Sequence, residues 1–237
     1  MDYAIETAPL ETLQCDCLIV GIYQDQQLSA SASSINESTQ GLISKILGRG
    51  DISGKNGETV LINAIPDSTI ERILLVGLGE NKPLSGKNYK KALLAAINSL
   101  KKTSIKSVAC SLADADVIGA DRQWKTRQII EVFSDAVYQF TAYKSNKETD
   151  SKVEKISITS PETEQALAQA GLIQGKAIAD GINLAKLLSD LPGNICTPAY
   201  LAEQALELGK SRQWDGQTAY LKLVVEISNE FDMPTSA

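Results

Sequence analysis

Two periods alternate along this chain. Short apolar runs predict strands, and apolar residues three and four apart predict helices. The strongest strand signal is Cys17 to Tyr23, CLIVGIY, an almost unbroken apolar run of the kind buried on both faces. Tyr3 to Glu6 gives a weaker strand before it. Thr59 to Ile65 (TVLINAI) and Arg72 to Leu78 (RILLVGL) follow, separated by the turn signal Pro66-Asp-Ser. That spacing suits a hairpin or two adjacent strands. Ser107 to Leu112 (SVACSL) and the alternating Lys155 to Thr159 (KISIT) complete the strands.

Helical spacing fills the intervals. Ser29 to Leu47 carries Ile35, Leu42, Ile43, Ile46 and Leu47, and predicts one helix that Gly48-Arg-Gly-Asp51 breaks. Gly54 to Gly57 reads as a turn. Gly86 to Lys102 places Leu93, Leu94, Ile97 and Leu100 on a helix. Arg122 to Tyr143 does the same with Ile129, Ile130, Phe133, Val137 and Phe140. Lys144 to Ser151 is polar and reads as a loop. Interleaved strands and helices imply a layered α/β domain with a central, mostly parallel or mixed sheet over about residues 1–160.

The character changes at Glu162. From there to Ser189 the chain is alanine-rich, with Leu167, Leu172, Ile173, Ile178, Ile182 and Leu187 at helical spacing. This predicts one long helix over residues 161–190 that leaves the first domain. Asp190-Leu-Pro-Gly-Asn194 stops it, because proline and glycine both oppose continuation. Thr197 as N-cap and Pro198 at the first position open a further helix, Pro198 to Gly209. Leu221 to Ile227 predicts a last strand.

Composition narrows the function classes. A chain of 237 residues, 43% hydrophobic, can bury one or two globular cores. With 23 Lys and Arg against 29 Asp and Glu, its net charge is −6. That argues against a nucleic-acid surface built on bulk charge. Lys82 to Lys102 and Lys144 to Lys155 are lysine-rich and read as solvated faces. There is no histidine, which removes the Ser-His-Asp and Cys-His arrangements and every His-based zinc site. Cys15, Cys17, Cys110 and Cys196 read as thiols in a reducing compartment; Cys15 and Cys17 alone are a poor metal pair. The acidic N-terminus has no apolar signal core, and no run reaches the roughly 18 apolar residues of a membrane span. We expect a cytoplasmic protein.

Several motifs suggest chemistry and have plainer explanations. Val76-Gly-Leu-Gly-Glu80 follows a strand and precedes a helix, like a dinucleotide loop. The third glycine is missing, since Lys82 stands there, so a strand-ending turn is expected. Gly48 to Gly54 is glycine-rich but follows a helix, and it has no Gly-Lys-Ser/Thr element. Gly171 and Gly175, four apart, predict close approach of a neighbouring helix. Asp114, Asp116 and Asp121 follow a strand, where a divalent ion could sit on oxygen ligands, but a solvated loop is the expectation.

One longer segment is more specific. DLPGNICTP over Asp190 to Pro198, then Tyr200-Leu-Ala-Glu203, resembles the signature with which leucyl aminopeptidases (cytosol aminopeptidases) enter their catalytic domain. RILLVGLG over Arg72 to Gly79 resembles a strand of the family's N-terminal domain. LKLVVEISNEFDM over Leu221 to Met233 weakly resembles the first strand and acid-rich turn of the catalytic domain. The resemblance implies a macro-domain-like N-terminal domain with a mixed sheet, a linking helix, and residues 191–237 as the start of an incomplete catalytic domain. It also implies a parent enzyme that releases N-terminal amino acids from peptides with two divalent metals, zinc or manganese, and assembles as a homohexamer. The family's ligand run Asn-Thr-Asp-Ala-Glu-Gly-Arg does not occur here. No catalytic, cofactor-binding or metal residue of the family maps onto this sequence, so the chain alone is expected to be inactive. Another reading is a stand-alone module holding an ADP-ribose-type ligand near Gly77, Gly79 and Asp114. A further one is a regulatory or DNA-binding fragment, which the acidic charge disfavours.

Overall fold

The computed structural model describes residues 1–63, 65, 70–140 and 151–211. Among the described residues there are six strands: β1 Asp2–Glu6, β2 Cys17–Ile22, β3 Thr59–Asn63, β4 Arg72–Gly77, β5 Ser107–Cys110 and β6 Lys155–Thr159. They form one sheet in the order β1-β6-β5-β2-β4-β3. All pairings are parallel except β3 with β4, which is antiparallel. The mixed sheet agrees with the sequence pattern. β2 lies inside it, and all six of its residues are buried, as its unbroken apolar run requires.

Helices cover both faces. α1 (Ala30–Ser38) and α2 (Leu42–Arg49) pack one core with Leu18, Val20, Ile22, Ile73 and Leu75. α3 (Gly86–Leu100), α4 (Arg122–Val137) and the first part of α5 (Gln165–Asp190) pack the other, against Cys17, Ile19, Leu74 and Val76. The two cores take alternate residues of β2 and β4, as the period of two dictates. α6 (Pro198–Ser211) follows, and Thr197 Oγ1 accepts from the Tyr200 amide, 3.3 Å, as its N-cap. The chain divides into two compact units, the first Met1–Ile182 and the second starting at Asn183.

The structure corrects three boundaries. The single helix expected over 29–47 is two helices, because Gln40 (φ 54°) and Gly41 (φ 80°) turn left-handed between them. Gly41 then serves as N-cap of α2, in a conformation that costs glycine little. The strand expected to reach Ile65 ends at Asn63. The helix expected to reach Tyr143 ends at Val137, where Tyr138 takes up an extended conformation. The Pro66 turn, the 144–150 loop and the Leu221 strand lie outside the described residues. Gly171 and Gly175 act as expected. A Cβ on Gly171 would stand 2.3 Å from the Gln123 carbonyl oxygen, and one on Gly175 would meet Ile130 at 3.0 Å. Their bare surfaces let α5 lie against the backbone of α4.

Candidate functional site

The chain leaves β2 toward one face of the sheet, into α1. It leaves β4 and β5 toward the other, into α3 and α4. Connections that part in this way open crevices at the carboxyl ends of the strands, where α/β sheets place ligands. Two such crevices flank β2, and the sequence candidates fall at both.

The crevice between β2 and β4 is filled by the chain's own backbone. The loop around Gly54 lies across the strand ends, with Gly54 at φ 78°. A Cβ there would stand 2.3 Å from the Tyr23 carbonyl oxygen, and a Cβ on Gly77 would stand 2.1 Å from that of Lys55. Only glycines permit this approach. The Gly77 amide donates to Glu58 O (2.8 Å), that of Leu78 to Ile22 O (2.8 Å), and that of Gly79 to Gly54 O (2.9 Å). A pyrophosphate would need these amides, and each already has a partner. The Val76 to Glu80 segment is therefore the strand-ending turn that the sequence predicted.

The crevice between β2 and β5 is closed by charge. Asp114, in a short 3-10 turn over Leu112–Asp114, accepts from Arg122 Nη1 at 2.9 Å and from the Ser31 hydroxyl. Arg122 Nε donates to Glu164 Oε2 at 2.7 Å. The Arg122 side chain is only 6% exposed, and its partners hold the guanidinium charged against the cost of burial. Beside it, Lys125 Nζ donates to Ala115 O at 3.1 Å. Burial pushes this ammonium below the usual lysine range, and the neighbouring Arg122 charge adds to the effect. Asp121 is the N-cap of α4, accepting from the Trp124 amide at 2.8 Å. Asp114 thus serves a guanidinium and Asp121 a helix end. Sequence reasoning found Asp114 but missed Ser31, Arg122 and Glu164. Ser31 lies 83 positions from Asp114 and Glu164 lies 42 from Arg122, so no local spacing links them.

An open cleft of about 250 Å³ lies above the Gly54 loop, between Lys55, Asn56, Gly79, Lys82 and Asn88. Asn56 holds its wall, donating from Nδ2 to Leu78 O (3.3 Å) and Asn88 O (3.1 Å). The four thiols are free. Burial raises Cys17 and Cys110 to about 12 and Cys15 to about 11, so they carry no nucleophilic chemistry at neutral pH. Among the described residues, no helix is long and apolar enough to cross a membrane.

Residues 19–147 match the family model of the cytosol aminopeptidase family, N-terminal domain. The chain belongs to this family. Similar cytosol aminopeptidases include a probable one from Methylobacillus flagellatus, 37% identical over 213 residues, covering 89% of this chain and 43% of that protein. The cytosol aminopeptidase of Pseudomonas aeruginosa is 35% identical over 210 residues, covering 89% and 42%. The chain spans about two fifths of the length of the curated relatives it matches. Among solved structures, a mutant of tomato leucine aminopeptidase shares the fold with a TM-score of 0.69 at 22% identity, covering 89% of this chain and 42% of that one. The bottromycin maturation enzyme BotP aligns with a TM-score of 0.62 at 19% identity, covering 84% and 38%. In this cytosol aminopeptidase N-terminal domain, the chain's own backbone and the Arg122 network occupy the strand ends flanking β2.

Proposed function

We propose that this chain is the non-catalytic N-terminal portion of a leucyl aminopeptidase. Its first part is a macro-like domain, residues 161–190 are the linking helix, and residues 191–237 begin the catalytic domain. The observation that carries the reading is the N-terminal family match together with coverage of about two fifths of each relative. The DLPGNICTP segment, placed between α5 and α6, supports the junction. In this reading the parent protein works in the cytoplasm, as a homohexamer, on peptide substrates. Two divalent metals, zinc or manganese, would supply an activated water for attack on the first peptide bond, and no residue of this chain maps onto the family's ligand run. In this reading their ligands lie in the portion of the relatives that this chain does not match, since the family's ligand run does not occur in its sequence.

The test is direct. The purified chain is incubated with leucine amide and either Mn²⁺ or Zn²⁺. We expect no hydrolysis from the chain alone. Metal-dependent turnover that co-purifies with it would overturn the proposal. Calorimetry with ADP-ribose tests the binding-module reading, and the engaged amides of Gly77, Leu78 and Gly79 predict no heat.

A further inference from the structure

The outer face of α3 is built against the rules of helix stability. Lys87 stands in its first turn, where the helix dipole favours acids, and that turn has no acidic residue. Lys90 and Lys91 follow three and four residues later, so like charges meet on one face. Leu94, 44% exposed, continues the stripe, and exposed Lys102 lies just beyond its end. The sequence of α3, GKNYKKALLAAINSL, has no carboxylate at all. Among the described residues, no ion pair engages Lys87, Lys90, Lys91 or Lys102. The chain as a whole carries −6, so this cationic track, along a helix about 22 Å long, opposes the sign of the molecule. Ser85 caps the helix and the stem of Lys91 lies over Gly57, but among the described residues no ion pair offsets the lysine charges.

We propose that this face docks an acidic protein segment carrying an apolar side chain, with its carboxylates on Lys87, Lys90 and Lys91 and the apolar group on Leu94. Two observations favour a peptide over a nucleic acid. Leu94 at the centre of the stripe gives a contact that a phosphate backbone cannot use. The stripe also has no arginine for bidentate phosphate contacts and no exposed aromatic ring for stacking bases, since Tyr89 is buried in the core. The net negative charge repels a long polyanion, whereas a short segment meets only the local field.

The test uses the full chain and fluorescence anisotropy at low salt. The probe is a fluorescein-labelled glutamate-rich peptide with one central leucine. A leucine-free peptide and a single-stranded DNA of equal charge serve as comparators. We expect saturable binding of the probe, weakened at least about tenfold by the double variant Lys87→Glu/Lys91→Glu and a few-fold by Leu94→Ser. Lys87→Glu should raise the Tm by about 1–2 °C while it weakens binding, because it removes the dipole conflict. That opposition separates a docking role from a merely structural one. No saturation by about 1 mM peptide, an affinity untouched by charge reversal, or DNA or the leucine-free peptide binding as tightly as the probe would each overturn the proposal.

Discussion

The Arg122 network permits a graded prediction. Replacing Arg122 with Met keeps the apolar stem and removes the charge. Asp114 and Glu164 then lose their cation but keep 26% and 41% of their side-chain surface in water. Removing one partner of a fully buried pair costs about 3–5 kcal/mol. Here hydration of the two carboxylates offsets part of that, and we expect a loss of about 2–3 kcal/mol. Asp114→Asn removes one charge-assisted bond and should cost about 1–2 kcal/mol, since Arg122 keeps Glu164. Glu164→Gln removes the more exposed partner and should cost about 0.5–1 kcal/mol. Urea denaturation followed by circular dichroism reads the series. The midpoint should move with the slope unchanged, because the surface exposed on unfolding stays the same. The reasoning is refuted if Glu164→Gln costs as much as Arg122→Met, or if Arg122→Met costs under about 1 kcal/mol.

Three further outcomes follow from the geometry. Gly77→Ala drives a Cβ into the Lys55 carbonyl oxygen and should cost about 2–3 kcal/mol, while Gly48→Ala, with open space around it in α2, should stabilise by about 0.5–1 kcal/mol; thermal melts compare the pair. Burial opposes ionisation of Asp16, but the amides of Lys106 and Ser107 and the Ser107 hydroxyl outweigh it and hold its carboxyl below the usual range. Its contribution is therefore present above the unfolded value of about 3.9 and lost as pH falls through the lower folded value, so the stability gap between wild type and Asp16→Asn should be open at neutral pH and close in acid, as urea midpoints across pH would show. Cys17 and Cys110 should react with a thiol reagent near pH 8 only as the chain unfolds, and immediate labelling of either in native buffer would contradict their burial.

Much of the fold follows from local pattern. The apolar run of β2, the two-residue alternation of β6 and the stripes of α3 and α4 each carry their structure within one segment. The helix ends at Ser85, Asp121 and Thr197 are equally local, because a capping oxygen reaches an amide only three residues away. The break at Gln40–Gly41 was harder to read, since the flanking apolar residues keep helical spacing across a left-handed turn.

The sequence by itself determined the strands, most helix spans, the absence of histidine chemistry and the family, because these rest on residue type and short-range spacing. The tertiary structure decided what the strand ends do. The Gly54 loop closes one crevice, and Asp114, Arg122, Glu164 and Ser31 close the other, mostly through contacts between residues 22 to 83 positions from one another. Such contacts depend on how the sheet is ordered and which face each crossover takes. No period along the chain encodes either.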